Sequence, residues 1–168
     1  MKRIITTLIL LFALFVISGC SAMSVSDYLR IHIRANSNSV EDQNIKYLIK
    51  DVVVEYMSPL LKDANSKNDA IQIIESNSAN LKQIIDGVLT QNGFNYECSI
   101  SINNEFFPTR TYDDLTLESG FYDALIVNLG NAVGNNWWCV VYPNMCFNEL
   151  ENVVYKSKIA EIISRIMR

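Results

Sequence analysis

The chain has 168 residues, 14 of them basic and 18 acidic, for a formal net charge of −4, and 49% are hydrophobic. A mildly acidic chain lacks the basic face that nucleic acid requires, so no nucleic-acid partner is expected. Its apolar share supports one domain with a real core, and neither an internal repeat nor a low-complexity linker divides it.

Lys2 and Arg3 precede an apolar run over residues 4–17, and Ser18-Gly19-Cys20 follows. That order is a secretory signal peptide, with a run shorter than the ~20 residues of a comfortable membrane span. The ending resembles a bacterial lipobox, so residues 1–23 form the expected signal segment and Cys20 the expected lipidation site, a possible anchor to the membrane. Ordinary cleavage after Ala22 and a retained signal anchor are the alternatives. All three put a single domain, residues 24–168, outside the cytoplasm. Loss of residues 1–19 removes Lys2 and Arg3 and no acid, so the mature charge is about −6.

Residues 28–35 alternate, with Leu29, Ile31 and Ile33 on one face and Arg30, His32 and Arg34 on the other. Period two predicts a half-buried strand with His32 on its wet face. Asn36 to Ser39 is a turn, and Ser39 with Asp42 fits a capping box. Ile45, Leu48, Ile49, Val52, Val53, Tyr56, Leu60 and Leu61 then fall at helical spacing, with Glu41, Lys46, Lys50 and Glu55 toward water and Pro59 kinking or ending the helix. Beyond Asn68 the pattern predicts two helices, about 68–76 and 79–91, the second capped by Ser78 and closed by Gly93; a single bent helix is the alternative.

The second half turns to strands. Tyr96, Cys98, Ile100 and Ile102 alternate with polar residues, Asn103-Asn104 reads as a turn, and Phe106-Phe107 starts a return strand that Pro108 marks as an edge. Residues 122–129 and 137–142 are further strands around a glycine- and asparagine-rich loop, and residues 148–167 close with helical spacing. The order predicts an α+β fold: a mostly antiparallel sheet with helices packed on one face.

Catalytic machinery is hard to assemble. His32 is the lone histidine and no G-x-S-x-G elbow is present. Cys139-x6-Cys146 is not the usual zinc spacing, and the acids over residues 113–123 lack the calcium-loop ladder. Gly130 and Gly134 lack the lysine of a phosphate loop. No catalytic residue, metal site or cofactor is expected. In an oxidising compartment Cys139 and Cys146 form a natural disulfide across a turn at Pro143-Asn144, leaving Cys98 a buried free thiol. Trp137 and Trp138, neighbours on a strand, must point to opposite faces. One suits the core, and the other suits an interface.

These residues carry a resemblance. In residues 31–61, Asn36, Ser37, Ser39, Glu41, Asp42, Gln43, Asp51, Ser58, Pro59 and Leu60 resemble the opening signature of the stage II sporulation protein R family. Phe107-Pro108-Thr109-Arg110-Thr111-Tyr112 and Asn136-Trp137-Trp138-Cys139, continuing through Pro143 to Cys146-Phe147, resemble its second and third blocks. The chain departs where Leu117-Glu118-Ser119-Gly120-Phe121-Tyr122 lacks a proline, where Ala132 replaces a common glycine, and at the lipobox-like Cys20. The resemblance implies a secreted sporulation signal rather than an enzyme. Such proteins pass from the forespore into the space between the sporangial membranes and activate a membrane-embedded aspartic protease, which processes the sigma-E precursor. An extracytoplasmic lipoprotein with a structural or hydrolytic role is the alternative. The expected contact residues are Arg34, Asn36, Ser37, Glu41 and Asp42 at the strand-to-helix turn, with Trp137 and Trp138.

Overall fold

The structure, a computed structural model, describes residues 24–112 and 114–146 together with Ile163 and Ile166. The expected signal segment with Cys20, and most of the expected helix over 148–167, lie outside the described residues. Strand β1 (Leu29–Arg34) leads into helix α1 (Val40–Leu61) and helix α2 (Lys67–Gln91). Strands β2 (Cys98–Phe107), β3 (Arg110–Tyr112), β4 (Leu115–Leu117), β5 (Gly120–Leu129) and β6 (Asn136–Tyr142) follow. The main sheet has the order β2-β5-β1-β6, with β1 parallel to β5 and every other pairing antiparallel; β3 and β4 form a separate hairpin. This is the expected α+β architecture.

Local chemistry sets the helix ends. Ser39, in extended conformation, accepts the Asp42 amide at 3.1 Å and starts α1. The helix stops two residues past Pro59, which has no amide to bond the preceding turn. Ser66 starts α2 in the same way through the Asp69 amide. At its end Gly93 takes φ +82°, and bonds from Gly93 to Thr90 and from Phe94 to Leu89 close a Schellman motif. Where two helices were expected, α2 is continuous. Ser76, Asn77 and Ser78 turn their side chains back onto the carbonyls of Gln72, Ile73 and Glu75, each at 2.8 Å, so the polar cluster rides inside the helix. Ile166 is helical and seats over Gly87 of α2, where a Cβ would come within 2.7 Å of its Cδ1.

Two more expectations are corrected. Asn103-Asn104 is no turn: β5 pairs with β2 along all ten of its residues, matching Asn103 with Ala124 and Asn104 with Asp123. Phe106-Phe107 therefore ends β2 and does not begin a return. The wet face of β1 is dry as well. Arg30 and His32 are both 0% exposed, because the β3–β4 hairpin and the aromatic residues beneath it cover that side. Lys46, expected in water, is 1% exposed: at Asp42, Ile45, Lys46, Ile49 and Val53 it falls on the buried stripe of α1.

Two cores result. Beneath both helices lies an aliphatic one, built on Leu29, Ile31 and Ile33 of β1 with Ile49, Val52, Val53, Ile84, Ile85 and Val88. Across the sheet lies a smaller one of Tyr28, Phe107, Leu117, Tyr122, Ile126 and Val140. Cys139 bonds to Cys146 with Cα atoms 6.3 Å apart, and Cys98 is a buried free thiol whose pKa burial pushes up.

Candidate recognition site

The turn between β1 and α1 is tied together by one carboxylate. Asp42 is buried and accepts from Tyr96 at 2.6 Å, Asn36 at 2.9 Å and Ser37 at 2.5 Å. Burial works against its charge, but the bonds from Ser37, Tyr96, Asn36 and Ser39 outweigh burial and hold the carboxyl below its usual range. The capping box is only half made. Ser39 accepts the Asp42 amide, but the Ser39 amide goes to the Ser37 hydroxyl at 3.1 Å, which frees Asp42 to reach Tyr96.

The same turn grips the β5–β6 loop. The Asn36 side chain accepts the Asn131 amide at 2.9 Å, Asn38 accepts the Asn135 amide at 2.7 Å, and the Ala35 carbonyl accepts from Gly134 at 2.9 Å. Glycine is required twice in this loop. Gly130 sits at φ +55° against the Asn36 side chain, and a Cβ at Gly134 would overlap the Ser37 carbonyl. Asn36, Ser37 and Asp42 thus spend their polar atoms on one another and on this joint. Glu41 is exposed beside them.

Trp137 and Trp138 split as strand neighbours must. Trp137 packs on the helix-covered core, and Trp138 on the other core, with ring centroids 4.8 Å from Phe107 and 5.1 Å from His32. Both remain partly exposed. His32 Nε2 lies 2.9 Å from Glu105. Burial lowers its pKa more than Glu105 raises it, so the ring is neutral, donates from Nε2, and leaves Nδ1 without a partner. Arg34 donates to Asn136 at 3.1 Å and lies 3.7 Å from Glu105.

Beside this joint opens a groove of about 530 Å3, lined among others by Gln43, Lys46, Arg110, Asn136 and Trp138. Each of the three sequence blocks quoted above contributes to it: Gln43 and Lys46 from the first, Arg110 from the second, Asn136 and Trp138 from the third. Lys46 donates to Gln43 at 2.7 Å and to the Asn135 carbonyl at 3.2 Å, and burial lowers its pKa. Sequence reasoning passed over Lys46 because lysine is normally solvated, although its spacing from Asp42 and Ile49 placed it on the apolar stripe. Arg110 was quoted for its motif alone. Tyr96 carried no signal, because its partner Asp42 is 54 residues away in sequence.

These features define an α+β domain whose three motif blocks meet at one cationic groove. The family model described as Stage II sporulation protein R matches residues 25–152, and the chain belongs to that family. It is 35% identical over 124 residues to Stage II sporulation protein R of Bacillus subtilis (strain 168), a match covering 74% of this chain and 55% of that relative. The chain thus spans about half the length of the curated relative it matches. No solved structure matches the chain.

Proposed function

We propose that this protein is an extracytoplasmic sporulation signal. Exported from the forespore into the intermembrane space, it engages a membrane-embedded aspartic protease of the mother cell and switches on processing of the sigma-E precursor. The observation that carries this reading is the family match over residues 25–152, which takes in the whole joint and groove. The same match points to a regulatory protein rather than a catalyst. The docking face in this reading is the exposed rim around the joint: Arg34, Glu41 and the accessible parts of Trp137 and Trp138. Asn36, Ser37 and Asp42 serve it by fixing the β1–α1 turn. Preorganised aromatics lose little entropy on docking, which suits a scarce signal. A lipid on Cys20 would tether the domain to the membrane it crossed and raise its effective concentration in a narrow gap.

Deletion of the gene tests the reading. Sporulating cells should accumulate unprocessed sigma-E precursor on a blot, and a wild-type copy should restore processing; normal processing in the deletion strain refutes the proposal. Single alanine substitutions at Arg34, Glu41, Trp137 and Trp138, checked for folding by thermal melting, then locate the contact. Labelled fatty acid should enter the wild-type protein and not the Cys20→Ala variant.

A further inference from the structure

We infer that the groove between α1, the β3–β4 hairpin and β6 receives an acidic side chain of a protein partner. The inference rests on the docking role proposed above and names the chemistry that the groove would recognise. Its first support is Lys46. The residue is 1% exposed, yet both hydrogen bonds of its ammonium go to neutral oxygens, the Gln43 side chain and the Asn135 carbonyl. Among the described residues no carboxylate pairs with it. The Tyr47 ring, 4.6 Å from Nζ, is the remaining compensation. A buried cation without a counter-charge is costly, and an ammonium has three donors, so Lys46 retains one for an outside acceptor.

Arg110 is the second support. Its side chain lines the same groove from the hairpin, is exposed, and has no ion pair among the described residues. None of the described residues lining the groove is acidic. Two cations without an ion pair among the described residues therefore meet in a groove whose described lining holds no carboxylate. Asn136 supplies an amide and Trp138 an apolar wall, which together suit a carboxylate on a short aliphatic stem. A flat anionic membrane fits less well. It could not reach a cation as deeply set as Lys46, and a net charge of −4 opposes its approach.

The experiment is a titration of the purified 15N-labelled full chain with acetyl-Gly-Glu-Glu-Gly-amide, followed by amide and indole NMR shifts. The glutamate peptide should shift Asn135, Asn136 and the Trp138 indole saturably, and the glutamine analogue should not. Arg110→Ala, an exposed change that leaves the core alone, should weaken binding about tenfold, as loss of one charge-assisted contact does. Lys46→Met, which keeps the stem and removes the charge, should weaken it at least as much. Equal binding of the glutamine analogue, shifts elsewhere on the domain, or unchanged binding by Arg110→Ala would overturn the inference. So would equal or stronger responses to inorganic phosphate or to phosphatidylglycerol vesicles, which would reassign the groove to a phosphate or a lipid surface. The readout is binding and not precursor processing, so the groove assignment stands or falls apart from the functional reading.

Discussion

From Leu29 to Ile33 the two faces of β1 are equally dry and chemically opposite. Leu29, Ile31 and Ile33 meet two helices of 22 and 25 residues; Arg30 and His32 meet a hairpin of two three-residue strands. On the helix face, stability comes from apolar area, about 25 cal/mol per Å2 removed from water. On the hairpin face a cation is held by aromatic rings. The Arg30 guanidinium lies 4.3 Å from the Phe107 centroid and 4.8 Å from that of Tyr122, and donates to Tyr112 at 2.8 Å. Its Nε and Nη1 have no partner, and neither does His32 Nδ1. Each unmet polar atom costs free energy that the apolar side chains of the helix face do not spend. Burial and polarity are thus independent variables, and the hairpin side carries a charge its packing only partly satisfies.

Four measurements test that contrast. The largest effect is expected on the helix face: Ile31→Ala, a truncation at a fully buried site, should cost about 2–5 kcal/mol by urea denaturation. Next comes the brace on the same face. Cys139 belongs to the aliphatic core, and Cys146→Ala opens a loop of about eight residues, for a loss of roughly 2.5 kcal/mol on the chain-entropy relation. Non-reducing peptide mapping should find Cys139 joined to Cys146 and Cys98 free.

The third measurement reads the hairpin face through pH. His32 has a folded pKa below its ordinary 6.5, from burial and, to a smaller extent, the nearby Arg34 charge, partly offset by Glu105. The unfolded chain therefore takes the proton first, and stability present in full above about pH 6.5 declines as pH falls toward the folded value. His32→Gln should flatten that slope. A separate loss below pH 3.8 should persist in the variant, because it belongs to the depressed carboxyls of Asp42 and Asp123. The smallest effect is at Arg30. Replacing it with methionine removes two orphaned donors and keeps the stem, so stability should be unchanged or slightly raised. A large loss would mean that the ring contacts outweigh the unmet bonds, and the contrast between the faces would narrow.

Much of this fold is legible in residue spacing. The alternation of Leu29, Ile31 and Ile33, the Ser39 cap, Pro59 and Gly93 each act through local sterics or a single hydrogen bond, and local signals can be read locally. What failed depended on distant cover. Arg30 and His32 look wet until the hairpin, whose three-residue strands have no measurable period, is folded over them. Asn103-Asn104 reads as a turn until β5 supplies a ladder and Asn104 bonds Asp123 at 3.0 Å. At the candidate site, the bonding of the β1–α1 turn was not legible in the sequence. Asn36, Ser37 and Asp42 were expected to face a partner, and they face one another. Lys46 and Arg110 became visible together only once the groove existed.

The strand order has a consequence for the order of assembly. β1 lies between β5 and β6, so its register pairs Leu29 with Asp123 on one side and with Tyr142 on the other. A chain emerging N-terminus first from the ribosome delivers β1 first and both of its partners last. The central strand must therefore wait, unpaired, until almost the whole described domain has been made, since such non-local pairing cannot form early. Half-made chains carry the joint residues but not the sheet that positions them. The joint is completed in one step, when β6 arrives beside β1.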